Sequence, residues 1–217
     1  ELKRANQLIV AKRAGEAEVI LRELVEEQKG EPNALMSLAT ALYEQGKFLD
    51  ALAVAKSALL TAPNDARVHC EVAVCQLALE HPMDALESVD KALANDPSSA
   101  QAYFVRSRAL LALGKNDEAV APLVRASTLA PNEASYVTQL AQQYIALGRL
   151  QEARAQTEKL ASLLPERWEP LADLHRICLQ LGDEAGAQSA LSRAVALAPQ
   201  ASDVVKLKLE FEQRARK

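Results

Sequence analysis

The chain has 217 residues, 49% hydrophobic but only 4% aromatic, with 25 basic and 29 acidic side chains for a net charge of −4. Ala and Leu therefore supply most of the apolar atoms, and as the strongest helix formers they make an all-α fold the expectation. Charges of both signs are interleaved without a basic tract, which argues against nucleic acid as a partner, and no apolar run reaches the ~20 residues that span a bilayer, so membrane insertion by this segment is not expected.

Residues 1–31 read as a degenerate helical hairpin, with Gly15 at its turn and a shortened spacing before Leu35. From residue 32 a step of 34 takes over: prolines stand at 63, 97, 131, 165 and 199, and alanines at 51, 85, 119, 153 and 187. The units are 32–65, 66–99, 100–133, 134–167 and 168–201. In 100–133, Tyr103, Ala109, Leu110 and Leu111 give an apolar stripe at helical spacing, and Gly114 ends the first helix. Asn116 is the expected cap of the second helix, with Asp117 and Glu118 in its first turn. Ala119, Leu123 and Ala126 are its buried side, Pro122 adds a mild kink, and Pro131 stops it. Gly46, Gly114, Gly148 and Gly182 form a turn column, with Glu80 standing where glycine is expected and Pro82 following it. Residues 202–217 read as a closing helix with Val205 and Leu209 on the packed side. Such strict periodicity belongs to like hairpins meeting through like contacts, not to a core with one centre.

The positions Tyr103, Ser107, Leu110, Gly114, Ala119, Leu123, Ala126 and Pro131 resemble the tetratricopeptide repeat (TPR) family. The resemblance implies a right-handed superhelical solenoid of antiparallel helix-turn-helix hairpins. It also implies that the first helix of each hairpin lines a concave groove that holds a peptide or partner protein. The function so implied is that of a non-catalytic protein–protein interaction scaffold. Two alternatives are a self-assembling homo-oligomer and the adaptor region of a larger enzyme, such as a bacterial transferase. The groove positions are Asn33, Met36, Ser37, Thr40 and Glu44, then Arg67, Cys70, Glu71 and Val74. Further along come Gln101, Phe104, Val105 and Arg108, then Ser135, Thr138, Gln139 and Gln142, and last Glu169, Asp173 and Arg176. Phe104, Val105, Cys70 and Val74 would receive an apolar side chain; Arg108, Gln139 and Gln142 would engage peptide backbone or a carboxylate. The Lys/Asn/Lys/Arg clamp of chaperone-binding TPR domains is missing, since its columns hold Met36, Thr40, Glu71, Gln101 and Val105. The asparagine ladder of O-linked N-acetylglucosamine transferase is replaced by Ser37, Glu71, Val105, Gln139 and Asp173.

The three histidines, His69, His81 and His175, lack the spacing of a metal site, and no catalytic set or phosphate loop stands out, so no cofactor is expected. Cys70, Cys75 and Cys178 leave an odd count; Cys70 and Cys75, five apart on one helix, point to different faces. A disulfide framework is not expected, which gives a mild preference for a reducing, cytoplasmic compartment. His69 shares a column with Leu35, Tyr103, Val137 and Leu171 and should pack; His81 should be exposed. His175 falls in a column of small residues and must widen the packing or tilt outward. Together with Trp168 it marks a candidate surface for another subunit or domain.

Overall fold

A computed structural model describes residues 1–27 and 30–214, and among these it contains thirteen helices and no strand. The chain forms two compact units, Glu1–Leu129 and Ala130–Lys217. The first unit holds α1 (Leu2–Val10), α2 (Ala14–Glu27), α3 (Pro32–Glu44), α4 (Phe48–Thr61), α5 (Ala66–Ala78), α6 (Pro82–Asn95), α7 (Ala100–Ala112) and α8 (Val120–Leu129). The second holds α9 (Ala134–Ala146), α10 (Leu150–Leu163), α11 (Glu169–Gln180), α12 (Glu184–Leu197) and α13 (Ser202–Arg214).

Helices α3, α5, α7 and α9 begin on side-chain caps. Glu31, Asp65, Ser99 and Glu133 accept from the backbone N–H of Ala34, Arg67, Ala102 and Ser135, satisfying donors that a helix start leaves free. Arg167 occupies the next position of that column, and α11 has Trp168 at its N-cap with no side-chain cap bond.

Helices α1, α3, α5, α7, α9 and α11 end on one recurring turn. The backbone enters the left-handed region at Lys12 (φ 60°), Gly46 (76°), Glu80 (61°), Gly114 (73°), Gly148 (68°) and Gly182 (76°). The next residue each time donates its N–H back five residues, from Arg13 to Leu8 through Asp183 to Cys178, at 2.9–3.0 Å. This pattern satisfies the last carbonyls of each helix. It also corrects the first hairpin: the turn lies at Lys12, in step with Gly46, and Gly15 is helical within α2. The 34-residue step is therefore not shortened there.

Each turn brings two helices together over an alanine that cannot be larger. Ala17, Ala51, Ala85, Ala119, Ala153 and Ala187 are all 0% exposed, and an added side chain would strain the packing by about 1–3 kcal/mol. Within unit 1, one buried cluster joins α1–α5 through Ala5, Leu21, Leu38, Leu42 and Cys75. Another joins α5–α7 through Cys70, Val89, Ala102 and Val105. The two cysteines thus point to different faces of α5. Within unit 2, α11 and α12 pack through Leu174, Cys178, Ala187 and Ala190, with Phe211 against them.

Two elements depart from expectation. Residues 116–119 form turns, and α8 starts only at Val120, so Asn116 does not cap it. An earlier start would require Pro122 to donate to the Glu118 carbonyl, and the ring has no N–H to give. Beginning at Val120 puts Pro122 in the first turn, where no donor is required. In α13 the packed side chains are Val204 and Leu207, while Val205 and Leu209 are 40% and 54% exposed.

Candidate functional site

In unit 1 the odd helices are neighbours: α3 packs against α1 and α5, and α5 against α7. On this face α1, α3 and α5 enclose a cleft of about 500 Å³. Asn33, Met36, Ser37, Thr40 and Arg67 line it from α3 and α5. Leu2, Asn6, Ile9 and Val10 close it from α1. The α1 residues went unnoticed in the sequence, although one step of 34 back from Met36 and Thr40 lands on Leu2 and Asn6.

The polar groups around the cleft are locally tied. The Thr40 hydroxyl lies 3.0 Å from the Met36 carbonyl and 3.1 Å from Glu71 Oε1, linking α3 to α5. Burial pushes the Glu71 carboxyl above its usual range, and the Thr40 hydrogen bond opposes that shift. Arg67 is held on Asp65 by bonds of 2.6 and 3.1 Å. Farther along the face, Phe104 and Arg108 of α7 are half-buried, and Val74 packs partly into the α5–α7 core.

Two of the expected groove residues lie inside that core. Cys70 is 0% and Val105 2% exposed, both within the α5–α7 cluster, so neither can meet a ligand. The repeat fixes their column, but the flank of the helix that faces a neighbour is decided by packing. Burial also pushes the Cys70 thiol to about 11 and the Cys75 thiol to about 12, leaving both protonated at neutral pH. In unit 2, Thr138 returns its hydroxyl to the Ala134 carbonyl at 2.7 Å; Gln139 is half-buried and Gln142 exposed.

His175 is likewise interior. It is 1% exposed, and its Nδ1–H donates to the Ala187 carbonyl at 2.8 Å, tying α11 to α12. Phe211 meets its ring edge-on at 5.4 Å. A histidine fits among small residues because it reaches a carbonyl of the facing helix, so it neither tilts outward nor offers an interface. Trp168 is half-buried and packs beside Leu171, Leu191 and Val204. His69 donates through Nε2 to the Pro63 carbonyl at 2.8 Å, and His81 is exposed. Among the described residues, no three His, Cys, Asp or Glu side chains gather as a metal site would need. None of the helices there is long and apolar enough to cross a membrane.

A comparison with curated protein sequences gives no match. Solved structures share the fold. PilW, described as a widely conserved type IV pilus biogenesis factor, is 18% identical, with a TM-score of 0.78 over 94% of this chain and 95% of its own. PilF of Pseudomonas aeruginosa is 16% identical, with a TM-score of 0.76 over 96% and 95%. YrrB, described as a TPR protein with an unusual peptide-binding site, is 19% identical, with a TM-score of 0.65 over 87% and 97%. Two profiles of the Tetratricopeptide repeat match residues 8–70 and 75–134, together more than half of the chain. With the six like turns and the buried alanine column, these matches make the chain a member of the tetratricopeptide repeat family.

Proposed function

We propose that this chain is an interaction scaffold that holds a peptide or protein segment against its odd-helix face. The scaffold itself is read as units 32–65 through 168–201, with residues 1–31 preceding and 202–217 closing it. The observation that carries the reading is the cleft between α1, α3 and α5. Apolar Leu2, Ile9 and Met36 stand there beside Asn33 and Arg67, the mixture of floor and orienting groups that suits a peptide. The family's scaffolds are generally non-catalytic. The fold is also shared with a protein described by its peptide-binding site.

Affinity capture with the wild-type chain, compared with Met36→Glu/Arg67→Glu and Phe104→Glu/Arg108→Glu, tests the proposal. The expected outcome is a specific partner retained by the wild type and depleted about tenfold or more by the first pair, since a buried charge and a lost cation together cost at least ~1.4 kcal/mol. Equal recovery by all three proteins moves the binding surface off this face. A second reading, self-association, draws on the exposed Val205 and Leu209 of α13. Light scattering of the wild type and of Val205→Lys/Leu209→Lys distinguishes it.

A further inference from the structure

The other flank of α7 carries a second cleft, independent of the odd-helix face. It measures about 620 Å³ and is walled by α6, α7 and α8, within the size range of ligand pockets. Its origin is local. Because Pro122 delays α8 to Val120, the turns at 116–119 replace the helical turn that α4 and α6 have at the matching positions.

The floor is apolar, with Leu86, Leu110 and Pro122, and Tyr103 stands half-buried among them. Around it the charges are unequal. Arg106 is 3.0 Å from Asp90, and Lys115 is 3.3 Å from Glu118, so these four neutralise in pairs. Arg125 is the fifth charge. Its guanidinium lies 5.9 Å from the centre of the Tyr103 ring, and it has no carboxylate partner among the described residues. A guanidinium already oriented by a ring face loses little freedom on meeting a carboxylate, which it can grip with two parallel hydrogen bonds.

We propose that this α6–α7–α8 cleft binds an acidic segment of a partner protein, its carboxylate on Arg125 and a neighbouring apolar side chain over Tyr103, Leu86 and Leu110. Charge complementarity selects the acid, and the apolar floor selects a peptide over a small anion. One cation without a carboxylate is too little charge to hold a polyphosphate chain, which argues against nucleic acid. The site is separate from the one under Proposed function, so either can fail alone.

The probe is a short fluorescein-labelled peptide of alternating Glu and Leu, read by fluorescence anisotropy, with a Lys-Leu peptide as comparison. The wild type should bind the acidic peptide saturably and more weakly as salt rises from about 50 to about 300 mM. Arg125→Glu should weaken binding about tenfold, a change of ~1.4 kcal/mol, and Arg125→Gln by less. Lys56→Glu, an exposed charge reversal on α4 away from both clefts, should leave binding unchanged. Pro122→Ala, which allows α8 to start earlier and narrow the cleft, should weaken it too. Circular dichroism checks that each variant is folded; Arg125 is exposed, so its replacements should be. Equal affinity of Arg125→Glu and the wild type, absence of wild-type binding, or equal binding of the Lys-Leu peptide each overturns the proposal.

Discussion

Glu80 occupies a backbone conformation that five of its counterparts make instructive. Its φ of 61° lies in the left-handed region, where a Cβ crowds the following carbonyl at a cost of about 1–2 kcal/mol. Glycine avoids that clash but gives up about 0.5–1 kcal/mol of chain entropy on folding. The difference favours glycine by about 0.5–1 kcal/mol, and the Glu80 side chain is exposed, so little packing opposes the change. Glu80→Gly should therefore raise the urea midpoint of unfolding, and Gly114→Glu should lower it by a similar amount. A Glu80→Gly midpoint equal to or below the wild type rejects the strain argument. The same conformation at Lys12 explains what was hidden in the first hairpin. The period was written there with a lysine in place of its glycine, and Lys29 stands where the next proline is due. Ala17 alone kept the column, and one residue is too little to set a register by eye.

Among the helices, α2, α3 and α4 meet at a single carboxylate. Glu18 of α2 accepts from Gln45 at the end of α3 and from Lys47 at the start of α4, both at 2.8 Å, and from Arg22 at 2.7 Å. With its side chain only 12% exposed, the bonds from Lys47 and Gln45 hold its carboxyl at about 2, below the usual carboxylate range. A carboxyl depressed on folding stabilises the fold above its unfolded value and loses that effect as protons return. The contribution, on the order of 2 kcal/mol, should be complete above about pH 5 and fade as pH falls toward 2. Glu18→Gln should thus be less stable than the wild type at pH 7, and the two urea midpoints should draw together below about pH 5 and meet only near pH 2. A gap that stays constant with pH assigns the loss to packing instead. This clamp could not be read from spacing, because its partners lie outside the helix; the late start of α8 follows from Pro122 within the helix, which the 34-residue step does not register. The packed side of α13 was ambiguous for a related reason. Val205 and Leu209 lie four apart, while Val204, Leu207 and Phe211 lie three and four apart, and both sets make a helical stripe. Contact with Ala172 and Leu191 selects the second.

Across the chain, the periodicity carried the architecture, because every hairpin repeats one turn and one small-residue crossing. It carried the candidate face less well. A 34-residue step assigns a residue to a column, but Cys70 and Val105 show that a column can rotate into the seam between hairpins where the neighbouring side chains are small. Repeat stacks also make a prediction about how damage spreads. Each hairpin touches its neighbours alone, so loss of an end should be felt locally. In unit 2 the end is α13, whose Val204, Leu207 and Phe211 cover Ala194, Leu171, Leu191 and the His175 ring. Burial of three such side chains contributes about 4 kcal/mol. A chain ending at Ala201 should therefore lose hydrogen-exchange protection throughout α11 and α12, with the His175–Ala187 bond among the first to open. Amides of α5 in unit 1 should exchange as slowly as before, because their buried neighbours in the α1–α5 and α5–α7 clusters are untouched. Equal loss of protection in α5 and α12 would mean that stability is shared across the whole chain rather than built hairpin by hairpin.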